Sequence, residues 1–172
     1  AQDLADGIHT VTAYANDTLG YMNNSETTTL IYDTIAPDVQ TINAPVANTN
    51  YTTGDTIVFN ATISNSSGTA IETVIFQVTN DTNPEFNLTA SSTNTSLFNA
   101  SLVVAGFADG NHTVTVYAND TAGNMNDSET TTLIVDTTAP DTVELYEPAN
   151  GSSSTDTTPT FTWQVNDTWT AV

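Results

Sequence analysis

The 172-residue chain carries 20 Asp and Glu, two His, no Lys, no Arg and no Cys, for a formal net charge of −20. Phosphate recognition needs basic side chains, so a nucleic-acid partner is excluded, and so is adsorption to an anionic membrane surface. Disulfide and thiol chemistry are excluded too, and no apolar run reaches the ~18 residues that mark a membrane span.

Charged residues make up only 12% of the chain. The acidity therefore comes from missing bases more than from abundant acids, which counts against a halophilic proteome as its cause. Ser and Thr number 48 and Asn 19. This is the composition of short solvated strands and turns rather than of helices.

Residues 6–38 read DGIHTVTAYANDTLGYMNNSETTTLIYDTIAPD, and residues 109–141 repeat them with 26 identities in 33 positions at an offset of 103. That period is too long for a solenoid unit and fits a whole β-sandwich domain. Three units are expected: the C-terminal part of one domain over 1–38, a complete domain over 39–140, and the N-terminal part of a third over 141–172. In the third, Phe161-Thr-Trp163-Gln-Val165 parallels Phe59-Asn-Ala61-Thr-Ile63. The chain reads as a window on a tandem array, and an incomplete sandwich at its ends offers a strand edge to a neighbouring chain.

Within the complete unit, strands are predicted near 39–43, 55–64, 71–79, 85–90, 96–104, 111–119 and 129–136. Ile57, Phe59, Ala61 and Ile63 alternate with polar residues, as do Phe98, Ala100, Leu102 and Val104, and then His112, Val114, Val116 and Ala118. Turn residues cluster at 65–68, 80–84, 109–110 and 122–124. Seven short strands at ~10-residue spacing predict an all-β fold of tandem immunoglobulin-like sandwiches.

The stretch DGNHTVTVYANDTAGN at 109–124, followed by VDTTAP at 135–140, resembles the ending of immunoglobulin-like repeats in bacterial and archaeal cell-surface proteins. The resemblance covers the matching half of the first unit and touches PANG at 148–151 and PTFTW at 159–163. It implies a place in a long adhesin, a surface layer or the stalk of a secreted enzyme. One fold hosts many roles, so these motifs speak for fold more than for function.

The asparagines carry the strongest functional signal. Fourteen of the 19 stand in Asn-x-Ser/Thr, the acceptor sequence for N-linked glycans: Asn16, Asn23, Asn50, Asn60, Asn65, Asn80, Asn87, Asn94, Asn99, Asn111, Asn119, Asn126, Asn150 and Asn166. Chance placement among 48 Ser and Thr gives roughly five. A turn phrase copied with the repeat explains part of the excess. It does not explain Asn60, Asn87 and Asn99, which fall inside predicted strands. Alternation sets those three on the outward face, with Asn111 and Asn119, where a bulky sugar meets solvent.

The second signal is acidic. Asp120 precedes the turn at Gly123, Asp136 ends the last predicted strand, and Asp141 follows Pro140; Asp17, Asp33 and Asp38 are their copies. In the surface repeats that this chain resembles, such carboxylates hold Ca²⁺ near domain junctions, and carboxylates with loop carbonyls are the hard oxygens this ion prefers. A cation bridging two domains stiffens a linker that otherwise hinges. Against this, no Asp-x-Asp-x-Asp loop accompanies them, and Asp120 and Asp136 also suit turn caps.

His9 and His112 are matched copies with inward parity. The expected role is structural: a bond back to the backbone where sandwich domains often use Tyr. Trp163 alternates with Phe161 and Val165 and is expected in a core, while Trp169 is assigned no role. No serine has a strand-turn-helix elbow or a base to activate it. The expectation is a non-catalytic, extracellular, cell-surface structural protein. It is heavily N-glycosylated and self-associates into a layer, sheath or filament, with an archaeal source favoured over a bacterial one. An adhesin stalk and a spacer in a secreted enzyme are the alternatives.

Overall fold

The computed structural model describes residues 3–80 and 83–167. Every regular element among them is a strand. In chain order these are β1 (Gly7–Thr12), β2 (Ala15–Asn16), β3 (Met22–Asn23), β4 (Thr27–Tyr32), β5 (Asp38–Ala44), β6 (Thr49–Tyr51), β7 (Thr56–Ser64) and β8 (Ile71–Asn80). They continue as β9 (Asn83–Thr89), β10 (Ser91–Ser92), β11 (Leu97–Val103), β12 (Gly110–Asp120), β13 (Met125–Val135), β14 (Thr142–Glu147) and β15 (Thr162–Asn166).

Strands β5 to β13 build two facing sheets, one ordered β10-β11-β7-β5 and the other β6-β13-β12-β8-β9. The period-two pattern of β7 explains why. Ile57, Phe59, Ala61 and Ile63 are fully buried, while Val58 between them is half exposed. Burial of each large side chain contributes ~1.5–3 kcal/mol, and the opposite sheet supplies the matching face with Val74, Phe76, Val78, Val114, Val116, Leu133 and Val135. The rings of Phe59 and Phe76 meet across the gap with centroids 5.6 Å apart.

The strand predictions miss β6 and the two-residue β10, and they start β13 late. The chain leaves the first sheet after β5 and joins the second as β6, which runs parallel to β13 through Thr49–Leu133, Asn50–Ile134 and Tyr51–Val135. Pro45 and Asn48 lie at this crossing; Asn48 has φ 61° and donates its N–H to Thr132 at 3.0 Å. Three residues are too few to show a period, so β6 is invisible to alternation. Strand β13 also starts at Met125, four residues earlier than predicted. The tight turn at 121–124 closes at once, because Gly123 takes φ 91° and Asp120 accepts the N–H groups of Ala122 and Asn124 at 2.9 and 3.0 Å.

The flanking segments repeat pieces of this sandwich. β1 pairs with β4 in the register of β12 with β13: His9 lies opposite Leu30, and His112 opposite Leu133. β14 pairs with β15, placing Val143 opposite Val165 and Leu145 opposite Trp163. Trp163 is 64% exposed, in contrast to the core position expected from alternation. Among the described residues β15 pairs only with β14, and no second sheet lies over its apolar face. Trp169 lies outside the described residues.

Candidate functional site: the unit junction and the glycan acceptors

The segment between β4 and β5 docks onto one end of the sandwich. Its entry is fixed by Asp6, whose carboxylate accepts the Thr34 N–H at 2.8 Å and the Thr34 hydroxyl at 3.0 Å. The repeat uses the same lock, Asp109 accepting from the Thr137 N–H and hydroxyl, both at 2.7 Å. Hydroxyls of Thr138 and Thr137, with the Thr137 N–H, hold the Asp109 carboxyl below its usual 3.8.

Asp33 then turns back over the segment, accepting the Ile35 N–H at 2.9 Å, and reaches the β7–β8 loop. Its Oδ2 accepts from the Ser67 hydroxyl at 2.5 Å and from the Thr69 hydroxyl. Behind them stands Asp120, fully buried at the end of β12. The Thr69 hydroxyl lies 3.2 Å from Asp120 Oδ2, and Asn65 Nδ2 donates to Thr69 Oγ1 at 3.1 Å. Two main-chain carbonyls complete the contact: Asn124 Nδ2 donates to Asp33 O at 3.1 Å and Asn126 Nδ2 to Pro37 O at 2.9 Å.

The proton count here is short. Ser67 carries one hydroxyl proton yet lies 2.5 Å from Asp33 Oδ2 and 2.6 Å from Asn65 Oδ1. Thr69 carries one and faces the carboxylates of both Asp33 and Asp120. Burial pushes the Asp33 carboxyl up, but hydrogen bonds from Ser67, Thr69 and Ile35 outweigh it and leave it below 3.8. Burial likewise opposes ionisation of Asp120, and donors from Asn124, Ala122 and Thr69 reverse that. Hydrogen bonding thus favours the ionised form of both carboxyls, which lie on either side of the Thr69 hydroxyl.

Of the six acidic candidates, the structure brings together Asp33 and Asp120 only. Asp17 caps its own turn, accepting from the Leu19 and Tyr21 N–H groups at 2.9 and 3.0 Å. Asp136 caps Thr138 at 3.1 Å. Asp38 and Asp141 are exposed at or beside strand starts. No group of three or more His, Cys, Asp or Glu converges among the described residues. Sequence reasoning missed Ser67, Thr69 and Asn124 as junction residues, and it read Asn65 only as a turn residue and glycan acceptor. The available signal was the run of short polar side chains at 65–69.

His112 is buried, and its Nε2 lies 2.8 Å from Ala108 O, with its ring edge against Phe107. His9 makes the same contact with Ala5 O at 2.7 Å.

The glycan acceptors divide by surroundings. Asn16, Asn23, Asn50, Asn87, Asn94, Asn111, Asn150 and Asn166 are exposed. Several are pre-oriented through the side-chain oxygen, which leaves the amide nitrogen free for a sugar: Asn94 Oδ1 accepts the Ser96 and Leu97 N–H groups, and Asn23 Oδ1 accepts that of Ser25. Asn60, Asn65, Asn80, Asn99, Asn119 and Asn126 are half-buried. Asn60 and Asn99 sit directly opposite each other on β7 and β11. Asn65 Nδ2 donates within the sandwich, to Thr69 and toward Asp120, and Asn126 Nδ2 gives one hydrogen bond to Pro37 O. Residues 81, 82 and 168, which complete the sequons of Asn80 and Asn166, lie outside the described residues.

No family model matches the chain, and no curated protein sequence matches it. Solved structures with a similar backbone include the fibronectin(III)-like modules of Clostridium thermocellum CbhA, at 21% identity and TM-score 0.46, with 78% of this chain and 65% of that one covered. They also include the endo-β-1,4-mannanase of Thermotoga petrophila, at 13% identity and TM-score 0.47, with 56% of this chain covered. The SrpA adhesin of Streptococcus sanguinis is a third, at 21% identity and TM-score 0.38, with 63% of each chain covered. The chain spans 19% of the mannanase structure and just under two thirds of the other two.

Proposed function

We propose that this chain is a non-catalytic structural stretch of a heavily N-glycosylated extracellular layer, sheath or filament of archaeal type, in which chained sandwiches set length and sugars shield the surface. The observation that carries the reading is the division of roles among asparagines. Exposed acceptors such as Asn94 and Asn111 face solvent, while Asn124 and Asn126 tie the β4–β5 segment to the sandwich through neutral hydrogen bonds. An uncompensated charge of −20 repels anions and draws cations to the same surface.

The junction oxygens suit a hard cation. The Asp33 and Asp120 carboxylates, the Asn65 carbonyl and the Ser67 and Thr69 hydroxyls are its proposed ligands, and the shortage of protons among them is the supporting observation. Bound Ca²⁺ supplies the positive charge that two close carboxylates lack. With only two carboxylates, affinity falls in the weak range of extracellular modules, ~10⁻⁴–10⁻³ M.

Immuno-electron microscopy of native cells, using an antibody against this stretch, tests the assignment. Regular decoration along a layer or filament is the expected result. Decoration of single long projections favours an adhesin stalk instead, and label confined to secreted enzyme favours a spacer.

A further inference from the structure

The outer face of the five-stranded sheet carries a groove of about 250 Å³ lined by Thr73, Ile75, Gln77, Asn87, Tyr117 and Asn119, among others. Typical pockets that enclose a drug-sized ligand run ~300–1,000 Å³, so this one is of the size of a single sugar ring. The lining follows from strand parity. Tyr117 and Asn119 share one face of β12 two residues apart, Tyr117 lies opposite Ile75, and Asn119 lies opposite Thr73. Gln77 lies opposite Asn87 on β9. A relay of polar groups crosses the floor: the Tyr117 hydroxyl donates to Gln77 Oε1 at 3.3 Å, and Gln77 Nε2 donates to Asn87 Oδ1 at 3.1 Å.

We propose that this groove is the seat of the chain's own glycan, tethered at Asn119, with the apolar face of its first sugar packed on the Tyr117 ring. The proposal rests on the glycosylation reading above and names what the attached sugar binds. Five points converge on this occupant. The acceptor asparagine is itself part of the wall, so the tether brings sugar to the groove at high effective concentration. The ring offers a broad apolar body with a polar tip, the surface a pyranose with C–H groups on one face and hydroxyls at its edge complements. Gln77 and Asn87 line the same groove with side-chain amides that can exchange hydrogen bonds with hydroxyls. Asn119 Nδ2 donates to Glu72 Oε2 at 3.0 Å, and since an asparagine amide has two N–H groups, a sugar replaces one while Glu72 keeps the other and fixes the direction. The preceding repeat spells the same Tyr-Ala-Asn-Asp-Thr at 14–18, with Tyr14 and Asn16 exposed. Ring and acceptor are thus copied together, although 7 of the 33 aligned positions differ.

The test is a double-mutant cycle on the native glycoprotein made in a glycosylating host, with Tyr117→Ala, Tyr117→Phe, Asn119→Gln and the pairs. Site occupancy is read by glycopeptide mass spectrometry and stability by the thermal midpoint. Asn119→Gln is expected to lower the midpoint by about 2–6 °C in wild type and by almost nothing in Tyr117→Ala, since the two act through one contact. Tyr117→Phe, which keeps the ring face, retains most of the effect. Additive losses, or a bare Asn119 beside occupied Asn94 and Asn111, overturn the groove assignment and leave the glycoprotein reading standing. Bare asparagines at every site overturn both.

Discussion

The side-chain amide of Asn126 donates to the main-chain carbonyl of Pro37 at 2.9 Å. One residue lies in the sandwich and the other in the segment between β4 and β5, so the amide of an Asn-x-Ser sequence holds that segment against the sandwich. Replacing Asn126 with Ala removes the donor and leaves the Pro37 carbonyl half-covered, a loss of ~1 kcal/mol. Amide exchange in residues 34–38 is expected to quicken about fivefold, with β7, β8 and β12 unchanged. Uniform acceleration across the sandwich would mean that Asn126 serves the fold rather than the junction.

Acid should release the same contact. The Asp33 and Asp120 carboxyls sit below 3.8 when folded, so they bind fewer protons folded than unfolded. Their contribution is fully present above the unfolded value and is lost as pH falls through 3.8 and below. Thr69→Val, which deletes a shared donor, should show a smaller loss between about pH 4 and pH 2 than wild type does. Equal losses in the two proteins would detach the acid response from this cluster.

Calcium should act at the junction and nowhere else. At a dissociation constant of ~10⁻³ M, a ~10 mM concentration stabilises the docked form by ~1.4 kcal/mol. Exchange at residues 33–38 and 65–69 is expected to slow about tenfold in calcium relative to EDTA, and Asp33→Asn should abolish the difference. Superimposable exchange in the two buffers would remove the cation from the account.

The core prediction is the plainest. Phe59→Ala opens a cavity between the sheets where Phe76 stands 5.6 Å away, and is expected to cost ~3–5 kcal/mol. Val58→Ala, on the outward face of the same strand, should stay within ~0.5 kcal/mol. Thermal or denaturant unfolding of both separates them, and comparable effects would contradict the assigned faces of β7.

Much of this architecture was legible because alternation is a direct physical record of a two-sided sheet. Ile57 to Ile63 fix one face, His112 to Ala118 the other, and the burial of His112 follows from its parity alone. β6 was not legible, since Thr49–Tyr51 is too short for a period and its partner Leu133 lies 84 residues away. Trp163 has the right neighbours for a core, yet alternation reports the face a residue takes and not whether a second sheet covers it. The junction was half legible. The repeat singled out Asp33 and Asp120, but only folding brings Ser67 and Thr69 between them. The groove was hidden for the same reason, as Tyr117, Gln77 and Asn87 meet across three strands.

Site-resolved glycopeptide mapping of the native protein bears most directly on the whole account; cleavage at acidic residues serves, because trypsin has nothing to cut. The account predicts sugar on the exposed acceptors Asn94 and Asn111, on no more than one of the facing pair Asn60 and Asn99, and none on Asn65, whose amide N–H groups face both Thr69 and Asp120. Unmodified asparagines throughout, or full occupancy at Asn65, would contradict it.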